Sequence, residues 1–363
     1  MRALPALVLL PGLLAADPSP AELRSRLARI TPGTPSAQAA ADTALHLIES
    51  AARTVRSSSR TRSRHKSANG KPGRPVTRVV VDRNRLAEAA RLVAGLESGT
   101  DPFSGRSGDF RQAVRSPVDR SLQPYRLVVP PAIDRSARYP LVVALHGAHG
   151  DENTYLDAYA DRVTGDRVFR KLGDERGYFL VAPRRYQGKF EADVLAIVDR
   201  LLAVYPIRED QVFLTGHSSG GVGTWMIGLR HPDRFAAMAA VGSAFRSLPG
   251  AIERLGAGSR VDKPMFYCHG ERDRLATNSM ARRMVDFLRS KMSYFVFRQF
   301  PDGHNTLGTS CMTAVFDFFD SVRSDTRILA SDPVTGAPDP APARTKRKRP
   351  ATRRGPAGRP ARG

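Results

Sequence analysis

The sequence is poor in cysteine and has no long apolar run. Two cysteines, Cys268 and Cys311, are too few for a small disulfide-rich scaffold or for a zinc site built from several cysteines. The apolar run over residues 3–14 is shorter than the roughly 20 residues that cross a bilayer. We therefore expect no transmembrane segment. Whether the two cysteines form a disulfide depends on the compartment and stays open at this point.

Acidic residues are scarce in two segments of the chain. The whole chain carries 57 Lys and Arg against 35 Asp and Glu, a net charge of +22. Residues 53–85 hold eleven basic residues and one acid, and residues 331–363 hold nine basic residues and two acids. Only +5 remains for the other 297 residues. The basic charge therefore belongs to two segments, which argues against a protein whose body binds nucleic acid specifically.

The N-terminus has the pattern of an export signal. Arg2 precedes the apolar run, and the small residues Ala15 and Ala16 lie directly before Asp17. We expect residues 1–16 to be a signal peptide and the protein to be secreted or periplasmic. An ordinary apolar start would instead leave the protein cytoplasmic.

Helical and low-complexity patterns flank a larger central domain. Over residues 17–100 we expect a helical accessory region that contains a basic Ser/Arg-rich loop at residues 53–78. Its helical patterns cover residues 21–30, 36–55 and 79–96. Residues 331–363 combine Pro and Ala with basic residues and predict a disordered tail.

Between residues 110 and 325 short apolar runs alternate with helical patterns. Continuous apolar runs are typical of strands that are buried on both faces of a parallel sheet. The predicted strands cover residues 125–129, 141–145, 178–181, 211–215, 237–241, 265–268 and 294–299. The predicted helices cover residues 194–205, 225–231, 279–290 and 309–322. This alternation predicts an α/β fold with a mainly parallel sheet.

One predicted strand runs directly into Gly216-His217-Ser218-Ser219-Gly220. A G-x-S-x-G sequence between a strand and a helix is typical of a sharp turn that exposes a nucleophilic serine. The backbone at such a turn is strained, so glycines flank the serine where a Cβ would clash. We predict that Ser218 is the nucleophile. His217 is expected to pack beside it and to shape the cleft.

A serine nucleophile needs a base and an acid that orients the base. In this architecture both follow the serine in the chain, first the acid and then the histidine, on loops after later strands. Asp273 and His304 occur at these places and are predicted as acid and base. The alternatives are Glu271 and Asp302 for the acid and His269 for the base.

The negative oxygen of a tetrahedral intermediate needs hydrogen-bond donors. One expected donor is the backbone N–H of Ser219, directly after the nucleophile. The other is expected in the turn after strand 141–145, at the N–H of Ala148, with Gly147 as the alternative.

These motifs carry a resemblance to a known family over about residues 117–323. The residues that carry it are Leu145-His-Gly-Ala-His-Gly150, Gly216-His-Ser-Ser-Gly-Gly221, Gly223-Thr-Trp225, His231-Pro-Asp-Arg-Phe235, Gly270 with Asp273, and Gly303-His304. Together they resemble an α/β-hydrolase of the bacterial esterase group. That group includes poly(hydroxyalkanoate) depolymerase-like, feruloyl or acetylxylan esterase-like and prolyl-oligopeptidase-like members.

The resemblance implies an α/β-hydrolase fold with helices on both faces of the sheet. It also implies hydrolysis of carboxylic esters through Ser218, Asp273 and His304, with no metal and no organic cofactor. The N-terminal helical region and the two basic segments have no counterpart in the pattern, so it implies nothing about them.

The expected substrate is a small-molecule or polymer-linked ester with a short-chain or aryl acid. The segment 242–261 is too short for a lid and holds one short predicted helix at residues 245–255. A serine peptidase of prolyl-oligopeptidase-like type is the alternative, and a non-catalytic binding protein is a third. The basic tail is expected to contact an anionic surface, although its composition could equally reflect a GC-rich genome.

Overall fold

The computed structural model describes residues 18–57, 76–134, 136–158, 164–244, 261–304 and 309–324. The expected signal peptide, the C-terminal tail and the helix predicted at residues 245–255 lie outside these residues, as does most of the basic loop. No helix in the described part of the chain is both long enough and apolar enough to cross a membrane.

Three helices and a two-stranded sheet form the N-terminal part. They are α1 (Pro20–Leu27), α2 (Pro35–Ala51), β1 (Ala52–Ser57), β2 (Val76–Val81) and α3 (Arg83–Glu97). Helix was predicted to continue to residue 55 and to restart at residue 79, and both ends are wrong because β1 pairs antiparallel with β2. Helix α3 begins only after Asp82, whose side chain accepts the backbone N–H of Arg85 and caps the helix.

An eight-stranded sheet forms the centre of the molecule. Its strands are β3 (Gly108–Arg115), β4 (Leu122–Val129), β5 (Tyr139–Leu145), β6 (Phe179–Pro183), β7 (Ile207–His217), β8 (Ala237–Val241), β9 (Met265–Gly270) and β10 (Phe295–Phe300). Their spatial order is β10-β9-β8-β7-β5-β6-β4-β3. All neighbours from β10 to β6 are parallel, whereas β4 runs antiparallel to both β6 and β3.

Helices cover both faces of this sheet. The remaining helices are α4 (Thr154–Asp157), α5 (Val168–Arg176), α6 (Glu191–Val204), α7 (Ser219–Arg230), α8 (Asn278–Lys291) and α9 (Thr309–Arg323). The side chains of β5 alternate, since Leu141, Val143 and Leu145 join one buried cluster while Val142 and Ala144 join the other. The predicted α/β fold with a mainly parallel sheet is confirmed.

Helix α2 packs directly on the sheet. Its apolar residues belong to the same buried cluster as the strands and α6. The hydroxyl oxygen of Thr43 accepts the backbone N–H of Ala113 in β3, at 3.1 Å. Asp42 is only 2 % exposed and accepts a hydrogen bond from Arg200 of α6 at 3.1 Å. The N-terminal helices and the sheet therefore share one hydrophobic core.

Candidate active site

Ser218 lies at the sharp turn between β7 and α7. Its backbone has φ 56° and ψ −117°, a conformation that side-chain-bearing residues rarely adopt. A Cβ at Gly220 would lie 2.0 Å from the Leu145 carbonyl oxygen, and one at Gly216 would lie 2.3 Å from the Gly220 oxygen. These two glycines are therefore required by the close approach of the backbone, as the sequence pattern predicts.

The structure brings Ser218, His304 and Asp273 together. His304 Nε2 is 2.8 Å from Ser218 Oγ, and His304 Nδ1 is 2.7 Å from Asp273 Oδ2. The other oxygen of Asp273 accepts the backbone N–H groups of Leu275 and Ala276. The Asp273 side chain is fully buried, so its negative charge is stabilised by hydrogen bonds from His304 and from these N–H groups.

The alternative residues of the sequence lie elsewhere. Glu271 is exposed, and its backbone N–H donates to the Phe300 carbonyl. Asp302 contributes its carbonyl oxygen, which accepts the N–H of Arg272 at 2.9 Å. His269 is fully buried beside the Tyr267 hydroxyl, and this burial lowers its pKa. Both ring nitrogens of His304 are bonded to Ser218 and Asp273 instead.

His217 connects the serine turn to the histidine loop. Its Nε2 lies 2.8 Å from the backbone oxygen of His304, so this nitrogen must carry the proton and donate it. Burial, together with the nearby His304, lowers the pKa of His217 to about 4. His217 is therefore neutral near pH 7. Sequence reasoning missed this hydrogen bond because its partner lies 87 residues away in the chain.

The loop after β5 forms one wall of the site. Gly147 and Ala148 line the same cavity as Ser218 and His304. Ser219 is the first residue of α7, a position where the backbone N–H has no partner within the helix. Ala148 thus lines the same cavity as Ser218, and Ser219 follows Ser218 at the start of α7.

Side chains behind this loop hold it in place. The His146 ring bonds to the Gly147 oxygen at 2.7 Å and to the Arg184 oxygen at 2.9 Å. The Tyr186 hydroxyl donates to the His146 oxygen at 2.7 Å. Each of these contacts restrains the backbone next to Ala148.

The cavity around Ser218, which we call the catalytic pocket, has a volume of about 360 Å³. Tyr155, Ala158 and Leu275 supply apolar parts of its wall. Leu275 is 67 % exposed although it is a large apolar side chain, and it lies on the Asp273 loop at the edge of the pocket. Apolar surface at the edge of a small pocket suits an uncharged acyl or aryl group.

A disulfide joins Cys268 at the end of β9 to Cys311 in α9, with 6.5 Å between the Cα atoms. The strand leads into the Asp273 loop, and the helix begins shortly after His304. The disulfide therefore connects the two segments that carry Asp273 and His304. Among the described residues there is no group of three His, Cys, Asp or Glu side chains that could hold a metal ion.

Residues 179–248 match the prolyl oligopeptidase family. No curated protein matches the chain. Among solved structures, a fluorophosphonate-binding serine hydrolase of Staphylococcus aureus is 17 % identical, with a TM-score of 0.50 over 59 % of this chain and 99 % of its own. An S-formylglutathione hydrolase of the same organism is 16 % identical, with a TM-score of 0.48 over 59 % of this chain and 100 % of its own.

A similar enzyme from Agrobacterium tumefaciens, also an S-formylglutathione hydrolase, is 14 % identical, with a TM-score of 0.46 over 60 % of this chain and 96 % of its own. At these identities the likeness concerns the fold. A mainly parallel sheet and a strained serine between a strand and a helix, as at β7 and α7, are typical of the α/β-hydrolase fold. The chain thus has the α/β-hydrolase fold.

Proposed function

We propose that this protein is a serine hydrolase that cleaves carboxylic esters. The observation that carries the proposal is the continuous hydrogen-bonded row from Ser218 Oγ through His304 to the buried Asp273. A serine hydroxyl becomes a useful nucleophile when a histidine takes its proton, and a buried carboxylate stabilises the imidazolium that forms.

In the first half of the reaction Ser218 Oγ attacks the ester carbon while its proton passes to His304 Nε2. The tetrahedral intermediate collapses, the bond to the alcohol oxygen breaks, and His304 returns the proton to the departing alcohol. In the second half His304 removes a proton from water and the hydroxide attacks the acyl carbon. The bond between that carbon and Ser218 Oγ then breaks, His304 returns the proton to Ser218, and the acid is released. Asp273 holds His304 in the tautomer with the proton on Nδ1.

The backbone N–H groups of Ser219 and Ala148 are the proposed donors to the negative oxygen of each intermediate. Donors of this kind are each worth about 2.7 to 4 kcal/mol in other enzymes. Their place is supported by the lining of the pocket and by the start of α7 directly after the nucleophile.

The proposed substrates are short-chain or aryl esters, free or linked to a polymer. A pocket of about 360 Å³ is at the small end of ligand sites, which supports a small acyl group over a long fatty chain. The match of residues 179–248 to the prolyl oligopeptidase family favours a second candidate, a serine peptidase. An amide nitrogen is a poorer leaving group than an alkoxide, so paired ester and amide substrates distinguish the two.

Ser218→Ala tests the proposal. We expect turnover of p-nitrophenyl acetate to fall by about 10⁶-fold, because the residual rate would come only from binding and the oxyanion donors. Ser290→Ala is the matched control, since Ser290 is exposed on α8 and its hydroxyl donates to the Phe287 oxygen of the same helix. Retention of more than a few per cent of turnover by the folded Ser218 variant would overturn the assignment.

We also propose that the enzyme is exported. The support comes from the signal-like residues 1–16 and from the disulfide, because disulfides persist mainly in oxidising compartments. The N-terminal sequence of the mature secreted protein tests this. A start at or near Asp17 supports export, and an intact Met1 in the cytoplasmic fraction contradicts it.

A further inference from the structure

A second cavity, the basic cavity, lies behind the loop that follows β5. Its volume is about 470 Å³, and its wall includes His46 of α2, Arg85 of α3, Arg111 of β3 and Arg184 after β6. The N-terminal helices therefore form part of this wall. None of these side chains takes part in the proposed ester chemistry.

The basic cavity and the catalytic pocket share one chain segment. Asn153 lines the basic cavity, while the next residue, Thr154, lines the catalytic pocket. Consecutive Cα atoms are about 3.8 Å apart, so the two cavities are close to each other at this segment. A neighbouring unit of a polymeric substrate bound at Ser218 is therefore the occupant that we consider for the basic cavity.

Two guanidinium groups in this wall have N–H donors that form no hydrogen bond with the described residues. Arg111 Nη2 donates to the neutral amide oxygen of Asn153 at 3.0 Å. Arg184 Nη1 forms an ion pair with Glu152 Oε2 at 3.6 Å, too long for a hydrogen bond, and the Arg184 side chain is 57 % exposed. Each guanidinium has five N–H donors, so both groups can bind a further oxyanion.

The third guanidinium is already bonded. Arg85 forms an ion pair with Asp82 at 3.2 Å and donates to the Ser50 carbonyl oxygen. Burial and the charges of Arg85 and Arg184 lower the pKa of His46 to about 4. His46 is therefore neutral near pH 7, and the positive charge of the cavity is carried by arginine.

Two carboxylates also line the cavity, and their hydrogen bonding differs. Asp151 Oδ1 accepts the backbone N–H of Asn153 and the hydroxyl of Thr154, so it is bonded within its own loop. Glu152 is 7 % exposed, and its Oε2 accepts no hydrogen bond within the part of the chain that the structure describes. A buried carboxylate oxygen of this kind would accept a hydrogen bond from a hydroxyl group of a ligand.

We propose that the basic cavity binds an anionic, hydroxyl-bearing unit of the substrate, such as a uronate residue of an esterified polysaccharide. Its carboxylate would accept hydrogen bonds from Arg111 and Arg184, and one of its hydroxyl groups would donate to Glu152. The role of the cavity in substrate binding rests on the proposed esterase activity, whereas the existence of the binding site does not.

Calorimetric titration of the full chain at low salt tests the site without any catalysis. We expect glucuronate to bind, glucose to give no heat of binding, and Arg111→Gln with Arg184→Gln to weaken glucuronate at least tenfold. Glu152→Gln should weaken glucuronate but not succinate, which has no hydroxyl. Arg208→Gln is the control, because Arg208 pairs with Asp210 away from this cavity.

Inorganic phosphate separates a uronate site from a general anion site. Phosphate that binds more tightly than glucuronate would overturn the uronate proposal, and so would equal binding of glucose and glucuronate. Unchanged affinity in the double arginine variant, shown by its melting temperature to be folded, would overturn the site itself.

Kinetics then connect the cavity to the substrate. For acetylated xylo-oligosaccharides with and without a glucuronate branch, we expect a lower KM on the branched substrate in the wild type. The double arginine variant should lose that preference, whereas Arg208→Gln should keep both the preference and the rate on the unbranched substrate. Glucuronate binding without Ser218-dependent hydrolysis would reject the esterase proposal and leave the cavity assignment standing, and a KM independent of the branch would reject its role in substrate binding.

Discussion

The catalytic pocket and the basic cavity share one loop but are built in different ways. In the pocket, short side chains at strand ends are fixed by backbone contacts, as Asp273 is by two N–H groups and Ser218 is by its strained turn. In the cavity, long arginines from three separate elements extend into one space. Bond making requires positions fixed to fractions of an ångström, whereas recognition of a charge tolerates flexible side chains.

Asp273→Asn tests the catalytic pocket, and its effect on kcat is the largest that we expect. The amide favours the wrong tautomer of His304, so we expect kcat on a small neutral ester to fall about 10⁴-fold. Asp302→Asn is the matched control, since Asp302 contributes its backbone rather than its carboxylate to these loops, and it should stay within about twofold of wild type. Equal losses in the two variants would show that the carboxylate of Asp273 has no special role.

Removal of the disulfide tests how firmly the segments behind the pocket are held. Cys268 and Cys311 are 43 residues apart, and a chain-entropy estimate for a loop of this length gives about 4 kcal/mol. We expect Cys268→Ala with Cys311→Ala to lower the free energy of unfolding in urea by about that amount. Reducing agent should destabilise the wild type and leave the double variant unchanged, and the opposite pattern would contradict a disulfide in the native protein.

The pH dependence of stability compares the two sites directly. The pKa values of His217 in the pocket and His46 in the cavity both lie near 4, below the ordinary 6.5. The unfolded chain therefore binds protons first, so the free energy of unfolding falls as pH decreases from about 6.5 to 4, by on the order of 2 to 3 kcal/mol for each group.

His217→Gln and His46→Gln should each reduce this decline in urea titrations at pH 7 and pH 4.5. Arg184→Gln should reduce only the part due to His46, because Arg184 lowers the pKa of that histidine. A decline as steep in both histidine variants as in the wild type would show that other groups cause it.

Deletion of residues 331–363 has the smallest expected effect on catalysis. We propose that this segment binds an anionic surface through its nine basic residues. Turnover of a neutral ester should be unchanged, while retention on an anionic matrix at low salt should fall. The difference should vanish near 1 M salt, where the Debye length is about 3 Å. Equal retention at low salt would reject the binding, and a loss of turnover would indicate that the tail contacts the catalytic domain.

The sequence predicted the regions that have a local pattern better than the regions that depend on contacts between distant residues. The strands around β5 and β7 have continuous apolar runs, and the sequence around Ser218 has the glycines that its turn requires, so both could be recognised locally. The strand β3 has the sequence Gly-Asp-Phe-Arg-Gln-Ala-Val-Arg without such a run and was not predicted. Its place depends on pairing with β4 and on contact with α2.

The contacts that depend on distant partners were not predictable. The bond from His217 to His304 spans 87 residues, and the basic cavity combines residues as far apart as His46 and Arg184. Arg184 and Arg185 are adjacent in the sequence, yet Arg185 is bonded to Asp193 and Asp119 while Arg184 faces the cavity. No local pattern distinguishes two neighbouring arginines, because only the fold decides which acidic residues each one meets and at what distance.

The packing of α2 on the sheet also has a consequence for synthesis of the chain. Asp42 leaves the ribosome 158 residues before its partner Arg200. At about 5 to 20 residues per second, roughly 8 to 30 s pass before α6 is available to cover the apolar face of α2. During that interval α2 can pack on α1, α3 and β3, but the side that meets α6 stays uncovered until that helix has been made.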